Sequence, residues 1–90
     1  MQRAKILAKG KVQGVGFRNF VYTLAKENQL LGYTQNLKSG DVETILEGDR
    51  SKIETIILAI QKGNTYSRVD DVVVEWNTST GEFQNFIIRR

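Results

Sequence analysis

The residues best equipped for chemistry lie in the run "QGVGFR", from Gln13 to Arg18. Gly14 and Gly16 stand directly before an arginine and what reads as a helix. Glycine permits positive φ, so a bend built on it can aim successive backbone N–H groups at one point. The unpaired N–H groups of a helix start add to such a concavity, which attracts anions. A cation at a helix N-terminus opposes the helix dipole unless an anion sits there, and the planar guanidinium of Arg18 matches phosphate or carboxylate oxygens in pairs. A phosphate or carboxylate site is one reading of these residues. A tight turn carrying a solvated arginine is the other, and the residues alone leave both open.

Nucleotide motifs do not account for the stretch. A dinucleotide fingerprint needs a third glycine at Asn19, and a Walker-type loop needs glycines five apart followed by Lys and Ser or Thr. The RNA-recognition signature is matched at Gly14, Gly16, Phe17 and Phe20 but missed at Gln13, Val15 and Arg18. That signature also belongs on a central strand with its aromatics on an open sheet face. Here Phe17 and Phe20 fall on a helical apolar stripe.

Composition narrows the chemistry further. The 90 residues include no cysteine and no histidine, which excludes disulfides, thiolate nucleophiles, imidazole bases and the usual zinc and copper ligand sets. Asp70, Asp71 and Glu75 could suggest a metal site, but alternate residues of a strand face opposite ways and no further ligand set is evident, so a solvated strand edge is the expectation. No metal or cofactor is expected. Thirteen Lys and Arg against ten Asp and Glu leave a net charge of +3, and the cations are scattered, only Arg89 and Arg90 being adjacent. Such a distribution suits a solvated surface better than a nucleic-acid footprint. "MQRAKILAKG" lacks the apolar core of a signal peptide, and no apolar run is long enough to cross a bilayer, so a cytoplasmic protein without a membrane partner is the expectation.

The elements that must position the glycine loop follow from periodicity. Ile6, Ala8 and Val12 alternate with Lys5, Lys9 and Lys11, as on a strand from Ala4 to Val12. Phe17, Phe20, Val21, Leu24 and Ala25 then make one stripe along a helix to about Asn28. A strand from Gly32 to Leu37, the turn "KSG" and the alternating "DVETILEG" predict a hairpin. Ile53, Ile56, Ile57 and Ile60 mark a second helix closed by Gly63, with Asp49 or Ser51 as N-cap and Ser51 with Glu54 as a capping box. "SRVDDVVVEW" and "EFQNFIIRR" read as two last strands joined by the turn-rich "NTSTGE".

This order predicts a single α+β domain over residues 1–90, a ferredoxin-like βαββαβ sandwich with an additional C-terminal strand, its antiparallel sheet carrying both helices on one face. In a right-handed crossover the first two strands run the same way. The loop from Gln13 to Arg18 and the end of the second strand at Asn36 are therefore expected to be neighbours. Taken alone, Asn36 before "LKSG" reads as a turn-capping asparagine; beside the loop it becomes a candidate site residue.

At these residues the chain resembles the acylphosphatases, enzymes that hydrolyse carboxyl-phosphate anhydrides. "GKVQGVGFR" is similar to that family's phosphate-binding loop and "GYTQNLKSGDVETILEG" to its second signature, and the likeness continues through "RVDDVVVEW" and "GEFQNFIIR". The resemblance implies that Arg18 is the catalytic arginine that holds phosphate and that Asn36 positions the attacking water. It implies a cradle of backbone amides from Gln13, Gly14, Val15, Gly16 and Phe17, a small acyl phosphate as substrate, inorganic phosphate as product and competing ligand, and a monomer. Departures are Lys38 and Ser39 before the turn glycine, Asn64 where proline is common, and the Arg89-Arg90 ending. A non-catalytic module that binds an anion or RNA is the competing expectation, and aromatics on the open sheet face would mark it.

Overall fold

Alternation along the strands and three-to-four spacing along the helices bury one shared set of side chains. In the computed structural model, which describes residues 1–90, the elements are β1 (Gln2–Lys11), α1 (Phe17–Glu27), β2 (Leu31–Asn36), β3 (Val42–Gly48), α2 (Arg50–Lys62), β4 (Arg68–Thr78) and β5 (Phe86–Arg89). Ala4, Ile6 and Ala8 of β1 pair with Leu46, Thr44 and Val42 of β3, so these residues share a sheet face. The apolar members of that set join Phe17, Val21 and Ala25 of α1 and Ile53, Ile56 and Ile60 of α2 in one buried core. Thr34 and Thr44 are also buried and bond to each other through their hydroxyls at 2.9 Å, which satisfies the polar groups facing the helices.

The sheet has five strands in the order β4-β1-β3-β2-β5, and the first four pair antiparallel as expected. The added strand β5 pairs parallel with β2, so the sheet is mixed. The segment between β4 and β5 is thus no hairpin turn: it carries the chain from one sheet edge to the other. Buried Glu47 anchors it, accepting from the Ser79 hydroxyl, the Thr80 N–H and the Thr80 hydroxyl, each at 3.0 Å. This direction has a consequence for the site. β1, β2 and β5 all run the same way, and their C-terminal ends meet at one end of the sheet.

At the start of α2 the cap differs from the capping-box expectation. Asp49 is the N-cap and accepts from the Ser51 N–H at 3.0 Å and its hydroxyl at 2.9 Å, while Glu54 pairs with Arg50 at 3.6 Å. The Asp49 carboxylate caps the Ser51 N–H, and Glu54, which reaches back to no N–H, makes an i,i+4 ion pair instead. No helix is long and apolar enough to cross a membrane.

Candidate functional site

β1 ends at Lys11, and the chain turns into α1 through Gly14 (φ 73°) and Gly16 (φ 74°), both in the left-handed region. A Cβ on Gly14 would meet nothing within 4 Å, so the demand for glycine here is conformational and not one of space. Gly16 is the N-cap of α1, and the first turn has neither a side-chain cap nor an acidic residue. The first backbone N–H engaged in this region is that of Phe20, which donates to the Gly16 carbonyl at 3.1 Å. The N–H groups from Gln13 to Asn19 donate to no acceptor in the protein. Open donors on Gly14, Gly16, Phe17, Arg18 and Asn19 therefore lie beside an uncapped, positive helix end.

A cavity of about 200 Å³ opens there. Gly14, Gly16, Phe17, Arg18 and Asn19 line it from the loop and α1, Asn36 from the end of β2, and Ile88 and Arg90 from the end of β5. The expected proximity of the glycine loop and Asn36 is realised. Arg18 donates from Nη1 to the Arg89 carbonyl at 3.0 Å and has no carboxylate partner. No Asp or Glu lines the cavity, and the charged side chains that do, Arg18 and Arg90, are both cationic.

Asn36 is exposed, and its carboxamide bonds to nothing else in the protein. The turn after it is closed without it, by the Leu37 N–H to the Asp41 carbonyl at 2.9 Å and the Gly40 N–H to the Leu37 carbonyl at 3.1 Å. The turn-capping reading of Asn36 therefore has no bond to support it. Gln13 does that bracing instead: its Nε2 donates to the carbonyls of Leu37 and Asp41 at 2.8 and 2.9 Å. Gln13 and Val15 belong to the loop without lining the cavity. The Val15 carbonyl accepts from Nδ2 of Asn64 at 2.8 Å.

Asn19, Ile88 and Arg90 line the cavity without having been expected there. Asn19 could have been found from its place in the first turn of α1. Ile88 and Arg90 could not, because only the parallel pairing of β5 brings them to this end of the sheet. The open face of the sheet carries a single strand aromatic, Tyr33, which lies under the Arg89 guanidinium at 3.7 Å and packs against Phe83 at 5.9 Å. Phe17 belongs to the core and Phe20 packs against it, so the face lacks the stacking platform that an RNA-binding reading requires.

The family model described as Acylphosphatase matches residues 4–88. An acylphosphatase of Dehalococcoides mccartyi is 41% identical over 90 residues, which span 99% of each chain. The crystal structure of acylphosphatase from Bacillus subtilis superposes with a TM-score of 0.96 at 33% identity, covering 100% of both chains. An acylphosphatase structure from Coxiella burnetii gives a TM-score of 0.91 at 33% identity, covering 98% of this chain and 92% of that one.

Proposed function

The chain belongs to the acylphosphatase family, and from that membership we infer that it hydrolyses the carboxyl-phosphate anhydride bond of small acyl phosphates to a carboxylate and inorganic phosphate. The observation that carries this reading is the row of unpaired N–H groups from Gln13 to Asn19 beside the unpaired cation Arg18. Such donors, left free by the protein, match the equatorial oxygens of a phosphoryl group.

The residues present suit this substrate class. An alkoxide leaving group would need a general acid, whereas a carboxylate with a pKa of about 4 departs unprotonated. The missing histidine is then no handicap. Phosphoryl transfer passes through a loose transition state, so positioning and charge stabilisation outweigh strong activation of water. In this reading the cradle and Arg18 hold the phosphoryl oxygens, and the free Asn36 carboxamide orients a water in line. The water oxygen bonds to phosphorus as the bond from phosphorus to the acyl oxygen breaks; the electron pair leaves on the carboxylate and the proton passes to solvent. Neither Ser nor Cys stands in the cradle, so no phosphoenzyme forms. Every group comes from one chain, which makes a monomer sufficient, and the cytoplasm remains the expected compartment.

Benzoyl phosphate hydrolysis, followed by ultraviolet absorbance with chelator present, tests the activity. Turnover well above buffer is expected, and its absence from folded protein would leave an anion-binding module. In labelled water the label should appear in phosphate. Label in benzoate would place the attack at the acyl carbon and end the in-line mechanism.

A further inference from the structure

The bond between Asn64 and the Val15 carbonyl bears directly on the cradle. A trans peptide unit is planar, so the C=O of Val15 and the N–H of Gly16 point in opposite directions. A donor that grips the carbonyl from outside turns that N–H the other way, towards the cavity that Gly16 lines and Val15 does not. Without the grip this peptide could rotate easily, because glycine follows it. The bond also polarises the peptide and strengthens the opposing N–H as a donor.

Asn64 is itself held firmly. It follows Gly63 at the end of α2; its N–H donates to the Ser67 hydroxyl at 2.9 Å, and its carbonyl accepts from the Ser67 N–H at 3.2 Å. Its remaining polar atom, Oδ1, is buried and has no partner. An unpaired buried acceptor works against folding and offsets part of what the bond to the Val15 carbonyl contributes, so stability gives little reason for an amide here.

We propose that Asn64 is a positioning residue for the phosphate site, orienting the Gly16 N–H through the Val15 carbonyl without touching the substrate. This rests on the reading of the loop as a phosphate cradle. The test compares wild type, Asn64→Leu and Asn64→Ala, using inorganic phosphate as competitive inhibitor and as titrant for backbone amide resonances.

In the wild type, phosphate should shift the amides from Gly14 to Arg18. Asn64→Leu, which removes both the grip and the unpaired acceptor, should stay folded with a small change in melting temperature, yet its phosphate inhibition constant should rise roughly tenfold. The response of the Gly16 amide should shrink more than that of Gly14. Asn64→Ala should show the same loss of affinity, and it carries the test if the leucine variant does not fold. Folded variants whose phosphate constant stays within about twofold of wild type, with an unchanged Gly16 response, would make Asn64 a structural residue only. A wild type whose loop amides ignore phosphate would instead remove the cradle itself, and the role with it.

Discussion

Nη1 of Arg18 donates to the backbone carbonyl of Arg89 at 3.0 Å, so the cation in the first turn of α1 is held by the C-terminal end of β5. One donor of the guanidinium fork is thereby used to orient the others. Arg18 makes no ion pair, and its remaining N–H groups are available to an anion in the cavity.

Arg18→Ala removes both the charge and the fork. Turnover should fall by about a thousandfold, and the inhibition constant for phosphate should rise by about tenfold or more. Arg18→Lys should recover little, because an ammonium cannot bond the Arg89 carbonyl and two phosphate oxygens in one plane. Steady-state kinetics with phosphate as competitor measure both effects. Unchanged phosphate competition in Arg18→Ala would argue against the cradle.

Asn36→Ala should separate catalysis from binding. The carboxamide has no bond within the protein, so its loss leaves the turn after β2 intact. Turnover should drop by about a hundredfold or more, with little change in phosphate affinity. If affinity collapsed instead, Asn36 would belong among the groups that bind phosphate.

Gly14→Ala tests the conformational demand of the loop. The new methyl group meets nothing, so the cost is that of an L-residue in the left-handed region, about 1–2 kcal/mol. Gly14→Asn should lose less, since asparagine tolerates that region better. Urea unfolding of the two variants gives the comparison, and equal losses would mean that backbone strain is not the cause.

Glu47 should make stability depend on acid. Burial pushes its carboxyl pKa up, but the hydrogen bonds from the Thr80 N–H and the Ser79 and Thr80 hydroxyls together outweigh that and hold it below its ordinary value of 4.5. A carboxyl depressed in the folded state stabilises the fold above its unfolded pKa, and the contribution is lost as pH falls through the folded pKa. Wild-type stability should therefore decline more steeply than that of Glu47→Gln as pH falls below that ordinary value of 4.5. Parallel unfolding curves for the two proteins would show that Glu47 carries no such linkage.

Much of the fold was legible because it depends on neighbours in the chain. The stripe from Phe17 to Ala25, the isoleucine face of α2, the alternation in β1 and the "KSG" hairpin turn all express local periodicity. The left-handed bends at Gly14 and Gly16 were legible for the same reason, since glycine at such a junction leaves few other uses. Crossover handedness alone was enough to bring Asn36 to the loop.

What the amino-acid sequence determined by itself was thus the element order, the glycine bend before an arginine at the junction of β1 and α1, and the absence of imidazole or thiol chemistry. Tertiary structure alone decided that β5 lies parallel to β2, which brings Ile88 and Arg90 to the cavity and the Arg89 carbonyl to Arg18. It also decided that Gln13 braces the turn after Asn36, that Asn64 reaches the Val15 carbonyl and that Glu47 is buried under the segment between β4 and β5. Each is a contact between residues far apart in the chain, and no local pattern of side chains encodes which distant carbonyl or N–H a polar group will meet once the sheet has closed.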